Sequence, residues 1–382
     1  MTTIIQAHDA SDFLALVPTL AGFQPHESIV LVAFRGNRTC GALRIDLPPE
    51  DAPASVRKSF ATTMLGMVCK IPGVDAMVPV IYTDDTFERY SGLPRRALVT
   101  NLTTRARYHG FLVRDALCVA SDGWGSYLGD CPRGGLPLDL ITQAAARQNR
   151  SGAPEPPART LVNDQATLEV ADEGSREEVS RRFRELELLR ESAELAPVLY
   201  WEYGFDGDIV AFADDLVTAP ATGVEAEKDA ALLAYLVQSP AVRDIFLITW
   251  GWGTSAGDEC ALTQRMFTAG EDISAMPGAG ALGGWDMPRP EPERIRRALA
   301  VLKHAAARLS QSTNPPLLTM IGWLHWALGA GSIAGMWIQQ AQAIDPDYGL
   351  ADLLNTMLRT GHLPDWAFDV PPEALPEAAI EQ

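Results

Sequence analysis

The chain has 382 residues, 49 acidic against 31 basic side chains, and a net charge of −18. Its length exceeds what one core usually holds and implies two domains; a hydrophobic content of 47% supplies a core without metals or disulfides. The negative balance argues against nucleic acid as a partner, the longest apolar runs are too short to span a membrane, and MTTIIQAHDASDF lacks the regions of a signal peptide.

The first element is a helix at 9–20, with Ser11 as its cap and Pro18 bending its end. The run 28–34, SIVLVAF, is uninterrupted, apolar and β-branched, as in a buried strand. Residues 40–47 alternate like a half-exposed strand and complete a hairpin with it. A helical period at 52–70 is followed by a buried strand at 75–82 that runs into Thr83-Asp84-Asp85. A second helix spans 93–108, opened by Pro94, and a strand covers 111–121. This alternation predicts an α/β N-terminal half, a mixed or mainly parallel sheet covered by helices.

Residues 149–167 are rich in proline and polar residues and read as a linker between an α/β domain at 1–148 and a helical domain at 168–369. Beyond it, Ser175 and Glu178 have the spacing of a capping box for a charged helix at 176–195. Helices follow at 208–218, 225–238 and 240–248, although IFLIT in the last could be a strand. Residues 254–291 are Gly- and Pro-rich and read as loop; helices resume at 293–309, 317–329, 332–344 and 348–360, and 370–382 is a flexible tail.

The densest chemistry lies at 115–138, DALCVASDGWGSYLGDCPRGGLPL. Asp122, Ser126, Tyr127 and Asp130 offer donors and acceptors beside the Trp124 indole, on a loop leaving a strand end, where α/β proteins place ligands. The competing account is that Trp124 and Tyr127 cap the core while the glycines make turns, and it is preferred. Cys131 would need a base in reach to act as a nucleophile. Asp84 ends a buried strand, a position suited to metal or phosphate chemistry and equally to capping a turn. Arg-Asp followed by GWG-x-x-x-GD occurs twice, at Gly123–Asp130 and Gly251–Asp258, so that Trp124 and Trp252 could line one cleft if the two segments met. The ligand candidates are therefore Asp84, Asp122, Trp124, Ser126, Tyr127, Asp130, Cys131 and Trp252.

Other motifs are decoys. Gly278-x-Gly280-x-x-Gly283 lacks the strand before it and the helix after it that a dinucleotide site requires. The six histidines are dispersed, and no metal or cofactor is expected. The cysteines, at 40, 69, 118, 131 and 260, have no C-x-x-C spacing and read as reduced cytoplasmic thiols, three of them buried in apolar strands or helices.

Two resemblances add to this. Pro18, Pro25, Ser28-Ile-Val-Leu-Val, Arg44, Asp46-Leu-Pro48, Tyr82-Thr-Asp84, Asp115-Ala-Leu, Trp124, Ser126-Tyr127, Cys131-Pro132, Gly135, Pro137 and Val242-Arg-Asp244 together resemble an uncharacterised actinobacterial family known as a domain of unknown function. The resemblance implies no activity. Members often carry a double cysteine where Asp130-Cys131 stands, a departure that argues against a vicinal-thiol or metal role. Residues 315–348 resemble one tetratricopeptide unit, with Gly322, Ala334, Ala341 and Pro346 at its small-residue and proline positions. The expected function is a cytoplasmic protein-binding or scaffold protein using its helical half. The alternative is a small-ligand hydrolase or transferase at the strand ends.

Overall fold

The structure, a computed structural model, describes residues 7–21, 24–90, 92–150, 166–273, 276 and 280–368. Its contacts divide the chain into two units, Met1–Gln165 with Phe368–Gln382, and Ala166–Ala367. Most of the expected linker and all of the expected tail at 370–382 lie outside the described residues.

In the first unit, β1 (Ser28–Arg35) pairs antiparallel with β2 (Arg38–Asp46) on one side and with β3 (Ala76–Tyr82) on the other. Next to β3 run β4 (Leu112–Val113) and β5 (Leu117–Val119), both parallel to it, and β6 (Trp124–Ser126) closes the sheet antiparallel to β5. The sheet is mixed. The strand expected at 111–121 is thus two strands. Their registers on β3 differ by one residue, so the break lies opposite Val78 and Pro79. Proline has no N–H for a ladder, and a break opposite it relieves the sheet of an unmatched position.

β1 and β3 are buried throughout because both sheet faces are covered. Ile29, Leu31, Met77 and Ile81 face α2 (Ala54–Cys69) and α4 (Arg96–Tyr108), meeting Met64, Leu65, Leu98 and Leu102. Val30, Val32, Val78 and Val80 face the other way, toward α1 (Ala10–Ala21), with Leu14 and Val17, and α5 (Asp139–Arg150), with Ile141. Pro18 lies inside α1 without ending it, and the cap is Asp9, whose Oδ1 accepts from the Asp12 amide at 2.8 Å, rather than Ser11. The helix expected at 93–108 begins at Arg96, after a single turn, α3 (Phe87–Tyr90). Cys118 is buried, Cys69 is exposed, and Cys40, Cys131 and Cys260 are half-buried, so one thiol rather than three is in the core.

The second unit is helical: α6 (Glu173–Leu189), α7 (Leu195–Tyr203), α8 (Ile209–Thr218), α9 (Val224–Leu236), α10 (Pro240–Trp252), α11 (Thr254–Thr268), α12 (Pro292–Ala306), α13 (Pro315–Ala327), α14 (Gly331–Ile344) and α15 (Gly349–Arg359). Three expectations are corrected. IFLIT is helical, within α10. Residues 254–268 form α11 rather than loop, because Gly257 is a packing residue: a Cβ there would collide with Thr249 and Val210. The cap of α6 is Asp172, accepting from the Ser175 amide at 2.8 Å, while Glu178 pairs with Arg181 and Arg182 and makes no capping box. At the centre, α13 is buried on every side, its apolar residues facing all round and only Thr319 and His325 polar among them. Gly322 lets α14 approach: a Cβ there would lie 2.6 Å from Ile338 Cδ1.

Candidate functional site

β1 begins where β3 and β5 end, so one rim of the sheet collects the residues just beyond Ser28, Tyr82 and Val119. Two of the described residues there hold left-handed backbone without being glycine, Glu27 (φ 37°) and Arg95 (φ 57°). Such geometry costs about 1–3 kcal/mol and persists only where neighbours over-determine it. The neighbours are visible. Glu27 Oε1 accepts from Thr83 Oγ1 at 2.7 Å and from the Asp84 amide at 2.5 Å. The Arg95 guanidinium lies 3.3 Å from Asp85 and 3.6 Å from Glu27, and donates to Pro48 O at 2.9 Å. Arg95 and Asp85 are only 12% and 10% exposed, so this is a buried ion pair tying β3 to the turn before α4.

Each of the sequence candidates has a definite place. Asp84 is exposed, 3.0 Å from His26 Nε2 in a solvated pair. Asp122 accepts from the Phe87 and Glu88 amides at 2.9 and 3.3 Å and so caps α3 from a distance. Trp124 is 5% exposed and donates from Nε1 to Pro137 O at 3.0 Å. Ser126 donates to Asp115 at 2.5 Å while accepting from the Leu128 and Gly129 amides, which closes the turn after β6. Tyr127 donates to Pro94 O at 2.6 Å, and burial raises its pKa well above the usual value. Asp130 is exposed. Cys131 packs against Gly125, and burial raises its thiol pKa, the opposite of an activated nucleophile. Asp122, Trp124, Ser126 and Tyr127 are engaged with backbone or side-chain groups around them, Asp84 and Asp130 face solvent, and the described cavities are lined by other residues.

Trp252 belongs to the second unit, where it donates to Pro288 O at 2.8 Å and packs edge-on against Trp366 and Trp323. The sequence echo has no structural counterpart, since Gly123–Asp130 contains a strand while Gly251–Asp258 joins two helices. Among the described residues, no three His, Cys, Asp or Glu side chains are placed to hold a metal ion.

A surface outside the sequence candidates lies on α7, LAPVLYWEY. Leu195, Val198, Leu199 and Tyr203 pack onto Leu186, Phe205 and Leu232. The opposite side carries Tyr200 and Trp201, 54% and 81% exposed, with ring centroids 5.0 Å apart. Leu188, at the end of α6, is 85% exposed. Glu191, Glu194 and Glu202 are exposed around this stretch and make no ion pair among the described residues. The legible signal was an aromatic pair flanked by glutamates at spacings that fit no single buried face.

An α/β sandwich unit followed by a helical unit, without a recognisable catalytic constellation among the described residues, defines the class. The chain belongs to the family described as Domain of unknown function (DUF4192), whose model matches residues 11–269 and 290–365. The match omits 270–289, the segment with the G-x-G-x-x-G pattern. No curated protein and no solved structure matches the chain.

Proposed function

We propose that the protein is a binding or scaffold protein that docks a protein partner on the α7 face of its helical unit. The observation that carries this reading is the edge-to-face, solvent-facing Tyr200–Trp201 pair on a helix none of whose residues is fully buried. Tryptophan and tyrosine supply large contact area at low entropic cost and dominate binding hot spots. The exposed glutamates beside them favour a partner that presents Lys or Arg around an apolar pocket. The tetratricopeptide-like pair is a weaker candidate for partner contact, because α13 is enclosed on all sides. The hydrolase or transferase alternative needs the strand-end groups to converge on a cavity; Asp122, Trp124, Ser126 and Tyr127 bond to groups around them and Asp84 is exposed, which favours the docking reading over it.

The test is quantitative affinity capture from the host with wild type and Trp201→Ala side by side. Trp201 is mostly solvated, so the variant should melt within about 1 °C of wild type, as exposed substitutions do. The expected result is a captured protein that is lost in Trp201→Ala and weakened by salt. Equal capture by both chains would refute the reading.

A further inference from the structure

In the first unit, α2 and α4 lie side by side over one sheet face, joined by a hydrogen bond of 3.0 Å from Arg105 to Thr62. Neither helix contains an aspartate or a glutamate, and together they carry Arg57, Lys58, Arg96, Arg105 and Arg107. In a chain of net charge −18, this is a local reversal of sign.

At the N-terminal end of α4 lies a cavity of about 370 Å³, lined among others by Glu50, Arg57, Tyr90, Leu93, Arg95 and Arg96. Its volume falls within the range of small-molecule sites. The three arginines differ in how they are committed. Arg95 is spent on Asp85, Glu27 and Pro48 O. Arg57 donates from Nη1 to Ala52 O. Arg96 is exposed, and neither it nor Arg57 has a carboxylate partner among the described residues. Glu50, the one acid in the lining, is matched by Arg89 at 3.2 Å. Two guanidiniums with no carboxylate beside them favour an anion in the space they line. The first turn of α4 adds to the demand, because its cap position, Arg95, supplies no side-chain acceptor for the free amides.

We propose that this cavity binds a small phosphorylated molecule, its phosphate held by Arg57 and Arg96 at the first turn of α4 and its organic part against Tyr90 and Leu93. A phosphate suits the site better than a carboxylate. Its charge and three terminal oxygens can satisfy two guanidinium forks and the helix amides at once, whereas a carboxylate has two oxygens. The proposal lies in the other unit from the docking face and stands without it.

The test is calorimetric titration of the full chain with inorganic phosphate, glucose 6-phosphate and adenosine monophosphate, and with citrate as the carboxylate control. At least one organic phosphate should bind more tightly than inorganic phosphate, and Arg96→Gln should weaken it at least tenfold. Arg96 is exposed, so this variant keeps the fold; Arg57→Gln, which also loses the contact to Ala52 O, is read only alongside a matching melting curve. Absence of binding by all three phosphates at millimolar concentration would overturn the proposal. So would unchanged affinity in Arg96→Gln, citrate binding as tightly as the phosphates, or binding of heparin alone, which would assign the charge to a surface for polyanions.

Discussion

Trp124→Phe separates packing from ligand contact in the loop that first draws the eye. Phenylalanine keeps a ring in the slot and deletes one interaction, the indole N–H to Pro137 O at 3.0 Å. The indole is 5% exposed, and its backbone also pairs with Leu136 on both sides, through N–O distances of 2.9 and 2.7 Å. The indole bond therefore pins the end of the 136–138 segment onto β6. Pro137 is exposed and its carbonyl keeps the Leu140 amide at 3.2 Å, so loss of the indole donor costs about 0.5–1.5 kcal/mol, and the lost half of the ring system adds about 1 kcal/mol of packing. For a unit of this size each kcal/mol lowers the melting temperature by about 2–4 °C, so a drop on the order of 3–10 °C is expected. Differential scanning calorimetry is the assay, since two units need not unfold together. Trp124→Ala should cost more, about 3–5 kcal/mol. If Trp124→Phe melts with wild type, the indole is not holding the loop, and the packing account of 115–138 fails.

Arg95→Met leaves Glu27 without its cation and Asp85 with only the exposed Arg89 at 3.0 Å; removing one partner of a buried pair costs up to about 3–5 kcal/mol, and urea unfolding showing under 1 kcal/mol would contradict the buried-pair description. His325 is buried, with Nε2 unpartnered, and its pKa is depressed to about 3, first by burial and then by Lys303. The unfolded chain therefore binds the extra proton between pH 6.5 and about 3, so this residue's contribution is intact above pH 6.5 and stability is lost as pH falls through that window. Asp229, raised to about 6 by burial and then by Glu225, pulls the opposite way, so the informative quantity is the difference between wild type and His325→Leu. That difference in melting temperature should grow in favour of the leucine from pH 7 to pH 4, and a constant difference would contradict the assignment. Gly322→Val forces side-chain atoms into Ile338 and toward Ala334 O, 3.3 Å from a Cβ; overpacking of this kind costs about 1–3 kcal/mol, and a melt equal to wild type would show that α13 and α14 are not in close contact.

How much of this was legible follows from burial. β1 and β3 are covered on both faces, so they read as unbroken apolar runs, and the mixed α/β half was predictable from them. α5 escaped because its stripe is short, with Ile141 and Ala144 among polar neighbours. α11 escaped because Gly253 and Gly257 look like breakers, whereas Gly257 is in the helix for close packing. The 115–138 loop stood out since the types that cap a sheet rim, Trp, Tyr, Ser and Asp, are also those that bind ligands. Arg57 and Arg96 could not be paired by eye, being on different helices that only the sheet brings together. The whole-chain charge concealed them too; what was readable was the absence of acids from 54–69 and from 96–108 in a chain with 49 of them.

Oxidative footprinting of Trp201 in the host cell, set against the purified chain, tests the docking surface most directly. A partner seated on α7 should reduce modification of Trp201 and Tyr200 several-fold in the cell while an exposed reference such as Tyr108 is labelled equally in both. Equal labelling of Trp201 in the two settings would contradict the account.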